Sequence, residues 1–273
     1  MKIGILYICT GKYEIFWKDF YLSCEKNFIP EAEKEYFVFT DAPEIDFEKD
    51  NKNIHRIYQE NLGWPGNTLK RYEIFLKSED LIEKTDYLFY LNANILFLKK
   101  ITAQEFLPDN NEKIVVCLHA GYYNKPIKKY PFEKNPRSTA YLEKKDGMKY
   151  YQGAINGGKT DDFIKVIKIL DDNIEKDLKN NIVAEWHDES HWNWYINTHT
   201  SGVKILSPSY LYPEGVSLPF EAKMMIREKS LLGGSSSFRN KIELRLVIND
   251  FKKFIKKILS KLKTFNFKND SAK

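Results

Sequence analysis

The sequence predicts an α/β fold in one main domain, with a mixed, mostly parallel central sheet. Strand-like and helix-like segments alternate along most of the chain, which is the pattern of helices that cover a parallel sheet. The first of these segments, residues 2–9, is a nearly continuous apolar run and is typical of a strand buried on both faces. Hydrophobic residues make up 42% of the chain and charged residues 30%, a globular composition that excludes wholesale disorder and fibrous classes.

Each further element is predicted from its local pattern. Apolar spacing predicts a helix over residues 13–28, and Asn67 is predicted to cap a helix from Thr68 to about Glu83. Two more helices are expected from 161 to about 179 and over 186–198, and further strands are expected at 36–40, 55–57, 87–91, 114–118 and 203–206. Because ligands in such sheets bind at the carboxyl ends of strands, we expect the site at the loops after Cys9, Leu91 and Leu118.

Cysteine usage and hydropathy indicate a protein of a reducing compartment. The three cysteines, Cys9, Cys24 and Cys117, are odd in number and share no CxxC spacing, so we expect buried thiols and neither a disulfide framework nor a zinc site. No apolar stretch reaches the roughly 18 residues of a membrane-spanning helix, and the apolar run at the N-terminus is too short for a signal peptide. We therefore expect a cytoplasmic protein.

The net charge of +5 belongs to one end of the chain. Residues 239–273 contain 11 Lys/Arg and 3 Asp/Glu, whereas the preceding residues contain 32 Lys/Arg and 35 Asp/Glu. An acidic body argues against a nucleic-acid partner. Composition divides the chain into a folded body (1–232), a flexible Gly/Ser linker (233–238) and a basic tail (239–273).

The tail has the pattern of an amphipathic helix. Its apolar residues recur at spacings of three and four from Leu244 to Leu262, and lysines fill the rest of its surface. This pattern favours binding to an anionic membrane surface. The alternative is an ordinary helix docked on the body.

Three short segments contain candidate functional residues. Asn92-Ala93-Asn94 follows a buried strand and faces the expected site, although turn chemistry also explains such a motif. Residues 153–158, Gly-Ala-Ile-Asn-Gly-Gly, include small residues that permit close approach of a ligand, or they form a plain turn. Neither pattern is specific alone.

The densest candidate segment is Trp186-His187-Asp188-Glu189-Ser190-His191-Trp192. Two adjacent acids among aromatic residues suit a sugar site, because carboxylates bind hydroxyl groups and stabilise an oxocarbenium-like centre. His187 and His191 would share one face of a helix and permit a zinc site, but the segment matches no known zinc-hydrolase motif. A solvated acidic start of a helix is the third interpretation.

Taken together, the motifs resemble glycosyltransferase family 6, the retaining α1,3-galactosyl- and N-acetylgalactosaminyltransferases that include the blood-group A/B enzymes. The resemblance is strongest to the bacterial members and covers residues 2–230. Its markers appear in order as ICTGKY (8–13), EYFVFTD (35–41), LGWPGNTLKR (62–71), DYLFYLNAN (86–94), LHAGYYNKP (118–126), STAY (138–141), YYQGAINGG (150–158), WHDES (186–190) and LSPSYLYPEG (206–215).

The resemblance implies a GT-A-type, Rossmann-like fold that binds a UDP-sugar donor. The positions that match the donor site of the family are Ile8, Thr10, Tyr13, Trp64, Lys70, Arg71, Asn92, Asn94, Gln152, Gly153, Ala154, Asp188, Arg227 and Lys229. Glu189 matches the catalytic glutamate, and His119, Trp186 and Glu214 fall at or near acceptor-binding positions. Pro131 stands where the family has a threonine at the acceptor, which leaves the acceptor open.

The main departure from the animal enzymes is at the metal. Asn92 and Asn94 replace the two acids of the Asp-x-Asp motif that holds Mn²⁺, and neutral amides are poor ligands for a hard divalent ion. The resemblance to the bacterial branch implies catalysis without a metal or other cofactor. We expect Lys70, Arg71, Arg227 and Lys229 to compensate the charge of the leaving UDP.

The triplet Gln152-Gly153-Ala154 matches the positions that sort the donor sugars. Alanine at the third position favours UDP-galactose in the blood-group pair, and UDP-N-acetylgalactosamine is the alternative. The expected acceptor is a galactoside, fucosylated or plain, of a lipid-linked bacterial surface glycan. The tail would hold such an enzyme on the inner face of the cell membrane. The competing hypotheses are a non-catalytic UDP-sugar or glycan-binding protein and a zinc hydrolase.

Overall fold

A seven-stranded sheet forms the centre of the computed structural model, which describes residues 1–229. The strands are β1 (Lys2–Ile8), β2 (Glu33–Thr40), β3 (Ile54–Tyr58), β4 (Tyr87–Leu91), β5 (Ile95–Phe97), β6 (Ile114–Leu118), β7 (Tyr151–Lys159), β8 (Val203–Leu206), β9 (Tyr212–Pro213) and β10 (Met224–Ile226). The large sheet has the order β3-β2-β1-β4-β7-β6-β8, and only β7 runs antiparallel to its neighbours. The predicted α/β fold with a mixed, mostly parallel sheet is confirmed.

The helices cover both faces of this sheet. They are α1 (Trp17–Asn27), α2 (Gly63–Leu69), α3 (Arg71–Leu76), α4 (Glu79–Ile82), α5 (Ala103–Phe106), α6 (Thr160–Lys179) and α7 (His187–Thr198). Along β1 the side chains alternate between two cores: Ile5 and Tyr7 pack with α1, while Leu6 packs with α3 and α6. Within residues 1–229, every helix is too short or too polar to cross a membrane.

The single helix predicted from Thr68 to about Glu83 is wrong. The segment forms three short helices, and the first begins at Gly63, before the predicted cap. Asn67 lies inside α2, where its side-chain oxygen accepts a hydrogen bond from the backbone N–H of Leu62. Lys70 and Ser78 leave helical geometry, and these two residues separate the three helices.

The plain turn considered for residues 153–158 is also wrong, because these residues belong to β7 at the centre of the sheet. Their glycines are required by packing. A Cβ atom on Gly157 would lie 2.2 Å from Phe89 Cδ1, and one on Gly158 would lie 2.0 Å from the carbonyl oxygen of Lys113. Small residues therefore mark the closest approach of neighbouring strands.

Two features outside the main sheet complete the site. A small sheet of order β5-β10-β9 brings residues 224–229 back beside the end of β4. Residues 119–149 form a long segment, here called the 119–149 loop, whose regular structure is limited to 3₁₀ turns at Ala120–Tyr122 and Ile127–Lys129. The predicted linker and basic tail lie outside the described residues.

Candidate active site

A large cleft of about 690 Å³ opens where β1 and β4 end, at two of the three expected loops. Its walls come from the loop after β1, from α2 and α3, from the start of β7 and from the start of α7. The lining residues are Ile8, Thr10, Gly11, Lys12, Tyr13, Asn61, Leu62, Gly63, Trp64, Asn67, Thr68, Arg71, Tyr90, Asn92, Gln152, Gly153, Ala154, Trp186, His187, Asp188, Glu189 and Lys229. Most of the residues matched to a nucleotide-sugar site thus share one cavity.

One end of the large cleft combines an aromatic ring with positive charge. The ammonium group of Lys229 donates a hydrogen bond to the Tyr13 hydroxyl at 2.9 Å and lies 4.8 Å from the centre of its ring. Lys12 lines the same end. Asn67 donates hydrogen bonds of 2.9 Å to the hydroxyl of Thr10 and to the side-chain oxygen of Asn61, which ties the loop after β1 to α2. This end can hold a flat base beside an anionic group.

Arg71 occupies the floor of the cleft. Its guanidinium lies 4.0 Å above the ring of Tyr90 and donates a 2.9 Å hydrogen bond to the carbonyl oxygen of Gly153. Its Nη1 atom is 2.5 Å from Asp188 Oδ2, but this contact is an ion pair without an aligned hydrogen bond. The buried Arg71 is therefore fixed between the sheet and α7.

Asp188 is buried, and neither of its oxygens makes a well-aligned hydrogen bond within residues 1–229, although Arg71 and the backbone N–H groups of Asp188 and Glu189 stabilise its ionised form. Burial raises the pKa of its carboxyl group to about 7, although the charge of Arg71 opposes this shift. A buried, unsatisfied carboxylate is costly unless a ligand supplies the missing donors. Hydroxyl groups of a sugar are suitable donors.

Glu189 is held by two hydrogen bonds. Its Oε1 atom accepts one from the Tyr150 hydroxyl and its Oε2 atom one from the Gly153 N–H, each at 2.7 Å. Burial raises the pKa of Glu189, and these two hydrogen bonds act in the opposite direction because they stabilise the carboxylate. The contacts fix the position of the carboxylate between two cavities.

The second of these cavities, the small cleft of about 320 Å³, adjoins the 119–149 loop. Trp186 and Glu189 line both clefts. His119 lines the small cleft, with its Nδ1 accepting a hydrogen bond from the Gly121 N–H, and burial lowers its pKa to about 4. The neutral ring and the indole of Trp186, 45% exposed, offer an aromatic wall to a second ligand.

Asn92 and Asn94 do not form a carboxylate-rich metal site. Asn92 Oδ1 accepts a hydrogen bond from Tyr90, and Asn94 Oδ1 accepts one from the amide of Asn92. Asn94 is buried, and its amide nitrogen donates to the carbonyl oxygen of Arg227 at 2.6 Å. Within residues 1–229, no cluster of three His, Cys, Asp or Glu side chains is arranged to bind a metal. Neutral amides whose oxygens already accept hydrogen bonds do not fit the Mn²⁺ of the Asp-x-Asp motif.

Four of the candidate residues lie outside both clefts. Lys70 pairs with Glu175 and Glu73 on the outer side of α3, and Asn94 is buried behind Asn92. Arg227 pairs with Asp19 at 2.8 Å. The carboxylate of Glu214 accepts a hydrogen bond from the backbone N–H of Glu228. Of the four cations expected at a diphosphate, Arg71 and Lys229 are in the cleft.

The two histidines of α7 have different surroundings. His187 lines the large cleft with its ring against Trp64, whereas His191 is buried beside Asp177 and Thr139. They do not converge on one ligand, so the geometry gives no support to a zinc hydrolase.

The three cysteines are free and buried, and burial raises the pKa of Cys9 and Cys24 to about 12. They are structural thiols, as expected.

Sequence reasoning missed Lys12, Asn61, Tyr90 and Tyr150 as residues of the site. Lys12 lies within the ICTGKY motif after a buried strand and could have been found from that position. The role of Tyr150 depends on its contact with Glu189, 39 residues later, which no local pattern reveals.

The chain matches one protein-family model and is similar to several named proteins. The family model described as glycosyltransferase family 6 matches residues 1–231. The chain is 40% identical over 229 residues to the Escherichia coli protein named O-antigen biosynthesis glycosyltransferase WbnI, a match that covers 84% of this chain and 95% of that protein. It is 30% identical over 227 residues to globoside alpha-1,3-N-acetylgalactosaminyltransferase 1 of Gallus gallus, covering 81% and 64%. It is 26% identical over 218 residues to histo-blood group ABO system transferase 2 of Rattus norvegicus, covering 78% and 64%. The chain thus spans somewhat less than two thirds of these two animal relatives.

Proposed function

Because the chain belongs to glycosyltransferase family 6, we propose that it is a retaining α1,3-glycosyltransferase that works without a divalent metal. It transfers galactose from UDP-galactose to a galactose unit, plain or fucosylated, of a bacterial surface glycan. The family match confirms the resemblance inferred from the motifs, and the named relatives identify the chain as a hexosyltransferase.

The observation that carries the proposal is the position of Glu189 between the two clefts. The large cleft suits a nucleotide-sugar, with Tyr13 for the base and Arg71 beside the diphosphate. The small cleft suits the acceptor sugar. With these two ligands bound, we propose that the carboxylate lies at the anomeric carbon of the donor, which is the reacting atom.

The charge of the departing UDP is compensated by side chains of the protein. Lys12, Arg71 and Lys229 are the cations that line the large cleft within residues 1–229. Fixed cations in a partly closed site stabilise the developing diphosphate without reorganisation. The poor fit of Asn92 and Asn94 to Mn²⁺ supports this assignment.

Retention of configuration requires stabilisation on the face of the sugar opposite the leaving group. Glu189 either attacks the anomeric carbon as a nucleophile or stabilises a short-lived cation while the acceptor hydroxyl attacks beside the departing UDP. Both of its oxygens already accept hydrogen bonds, which weakens the carboxylate as a nucleophile and favours the second role. Asp188 binds hydroxyl groups of the donor sugar.

The choice of donor depends on Gln152 and Ala154, which line the large cleft on either side of Gly153. The Oε1 atom of Gln152 is buried without a hydrogen-bond partner in the described chain and can accept from a sugar hydroxyl. Ala154 leaves less room for an acetamido group than glycine does, which favours galactose. The alternative donor is UDP-N-acetylgalactosamine, the sugar in the name of the chicken relative.

The acceptor follows from the bacterial relative, whose name assigns it to O-antigen biosynthesis. We propose a lipid-linked glycan acceptor and a cytoplasmic enzyme at the inner face of the cell membrane. The competing candidate, a non-catalytic UDP-sugar-binding protein, would not need a carboxylate held by two hydrogen bonds at the junction of the clefts.

The test is UDP release in EDTA, with UDP-galactose and UDP-N-acetylgalactosamine side by side and with a fucosylated galactoside as acceptor. We expect turnover in EDTA and a preference for UDP-galactose. A strict requirement for added Mn²⁺ would overturn the charge-compensation argument. Absence of UDP release under all of these conditions would favour the non-catalytic UDP-sugar-binding protein.

The catalytic assignment is tested with Glu189→Gln. Loss of a group that stabilises charge in the transition state costs about 100- to 1,000-fold in turnover, while UDP binding measured by calorimetry stays near its original value. Glu185→Gln is the matched control, because it makes the same change at an exposed position four residues earlier. Near-normal turnover of Glu189→Gln would reject the role of Glu189.

A further inference from the structure

The 119–149 loop carries a concentration of positive charge in an otherwise acidic body. It contains 8 Lys/Arg and 3 Asp/Glu, whereas the rest of residues 1–229 contains 24 Lys/Arg and 32 Asp/Glu. Seven of the eight basic side chains are exposed, and the eighth, Lys144, is half-buried. One of the three acids, Glu133, is buried. The basic residues are Lys125, Lys128, Lys129, Lys134, Arg137, Lys144, Lys145 and Lys149. We call them the basic surface.

The basic surface is not neutralised by the described part of the protein. None of its eight side chains lies within ion-pair distance of a carboxylate of residues 1–229, although exposed lysines elsewhere, such as Lys49 and Lys168, form such pairs. The ammonium group of Lys144 donates instead to the carbonyl oxygen of Lys128. Burial and the nearby charge of Lys134 lower the pKa of Lys144. Mutual repulsion of this kind is relieved by an external anion.

The loop holds these charges on a fixed framework. Phe132, Leu142 and Tyr150 form a small core of their own, separate from the two cores of the sheet. Buried Asp177 accepts hydrogen bonds from the Ser138 hydroxyl at 2.5 Å and the Thr139 N–H at 2.8 Å, which ties the loop to α6. The loop that carries the cations is therefore packed on the body.

The position and composition of the surface identify its partner. Lys125 lines the small cleft, so the basic surface adjoins the proposed entrance for the acceptor. Tyr123 and Tyr141 of the same loop are 38% and 40% exposed, and tyrosine is favoured where protein meets the headgroup layer of a membrane. Cations spread over a whole surface fit an extended layer of anionic headgroups better than a single anion.

We propose that the basic surface of the 119–149 loop binds anionic phospholipid headgroups, so that the small cleft opens toward the membrane. Only the purpose of this contact, access to a lipid-linked acceptor, rests on the proposed function. The contact is separate from any membrane binding by the tail, because it uses residues of the catalytic body.

The test measures binding of the full chain to vesicles that contain no glycan. The vesicles are phosphatidylcholine alone or phosphatidylcholine with about one third phosphatidylglycerol. The test variant reverses three charges of the loop, Lys128→Glu, Lys129→Glu and Lys134→Glu. The matched control reverses three exposed lysines outside it, Lys52→Glu, Lys84→Glu and Lys165→Glu, and has the same net charge and the same tail.

We expect the original chain and the control to bind the anionic vesicles in preference to the neutral ones. The loop variant should bind at least about tenfold more weakly, because each cation near an anionic surface contributes severalfold to partitioning. Equal binding of the two variants, or equal binding to both kinds of vesicle, would overturn the proposal.

Two further measurements separate this result from the proposed function. Both variants should keep the thermal midpoint of the original chain, since the reversed lysines are exposed and outside its ion pairs. Both should transfer sugar to a short soluble acceptor at the original rate. Failure of transfer in all three proteins would refute the proposed function and leave the vesicle comparison intact.

Discussion

Replacing Tyr150 by phenylalanine tests how the carboxylate of Glu189, the proposed catalytic group, is held. The Tyr150 hydroxyl, on a ring that is 2% exposed, donates a 2.7 Å hydrogen bond to Glu189 Oε1. The substitution removes this donor and leaves the ring, its small core and the Gly153 hydrogen bond in place. Tyr150 also lines the small cleft, so the test depends on the pH profile and not on the loss of activity alone.

The size of the effect follows from the charge of the acceptor. A hydrogen bond to a charged group contributes about 1.5–3 kcal/mol, or roughly 10- to 100-fold in the equilibrium between the ionised and protonated forms of the group. Tyr150 stabilises the ionised form of Glu189, so its hydroxyl lowers that pKa and its removal raises it. Because the proposed mechanism needs the carboxylate, activity should be lost at a higher pH in Tyr150→Phe than in the original protein as the pH falls. On the acid side of the profile, we expect kcat/KM of Tyr150→Phe to lie about 10- to 100-fold below that of the original protein.

The assay is the pH profile of kcat/KM for sugar transfer in the original protein and in Tyr150→Phe. The matched control is Tyr130→Phe, which removes a hydroxyl from the same aromatic cluster but not from Glu189. Asp188, whose pKa burial raises to about 7, contributes to the profiles of all three proteins and makes no hydrogen bond to Tyr150, so the comparison with Tyr130→Phe isolates the effect of the Tyr150 hydroxyl. An unshifted acid limb in Tyr150→Phe would refute the assigned role of the hydrogen bond.

Two other substitutions probe the same site from different sides. In Gly153→Ala, the new Cβ would lie 3.1 Å from the Cβ of Glu189 and push the carboxylate away. We expect kcat to fall about tenfold, with the UDP affinity measured by calorimetry unchanged, and a normal kcat would contradict this. In Asp177→Asn, the hydrogen bonds from Ser138 and Thr139 weaken, so the 119–149 loop beside the proposed acceptor cleft is held less firmly. The KM for the acceptor should rise about fivefold, while hydrolysis of the donor without acceptor continues at its original rate. An equal loss of activity in sugar transfer and in donor hydrolysis would show that Asp177 acts only on the stability of the fold.

The central strands were predictable because a strand that is buried on both faces consists of a continuous run of apolar residues. The run at residues 2–9 became β1, and those at 87–91 and 114–118 became β4 and β6 with the same bounds. The strands β9 and β10 have two and three residues and leave no periodic signal. Glycine in β7 resembled turn chemistry, since only the neighbouring backbones explain why a side chain is excluded there.

The site was predictable in its residues more than in its contacts. The motifs identified Arg71, Asp188 and Glu189, which the structure brings into one cleft. They also suggested Lys70, whose ammonium group pairs with Glu175, 105 residues away. A motif gives the identity of a side chain, but its direction depends on distant partners that the pattern does not contain.

The contacts of Gly153 have a consequence for how this group of enzymes diversifies. Its N–H and C=O groups bond to Glu189 and Arg71, and main-chain groups persist whatever side chain evolution places beside them. The two neighbours, Gln152 and Ala154, contribute side chains to the cleft and are free to vary. If these two positions select the donor sugar as proposed, single replacements there would change the choice of sugar and leave both hydrogen bonds of the Glu189 carboxylate in place.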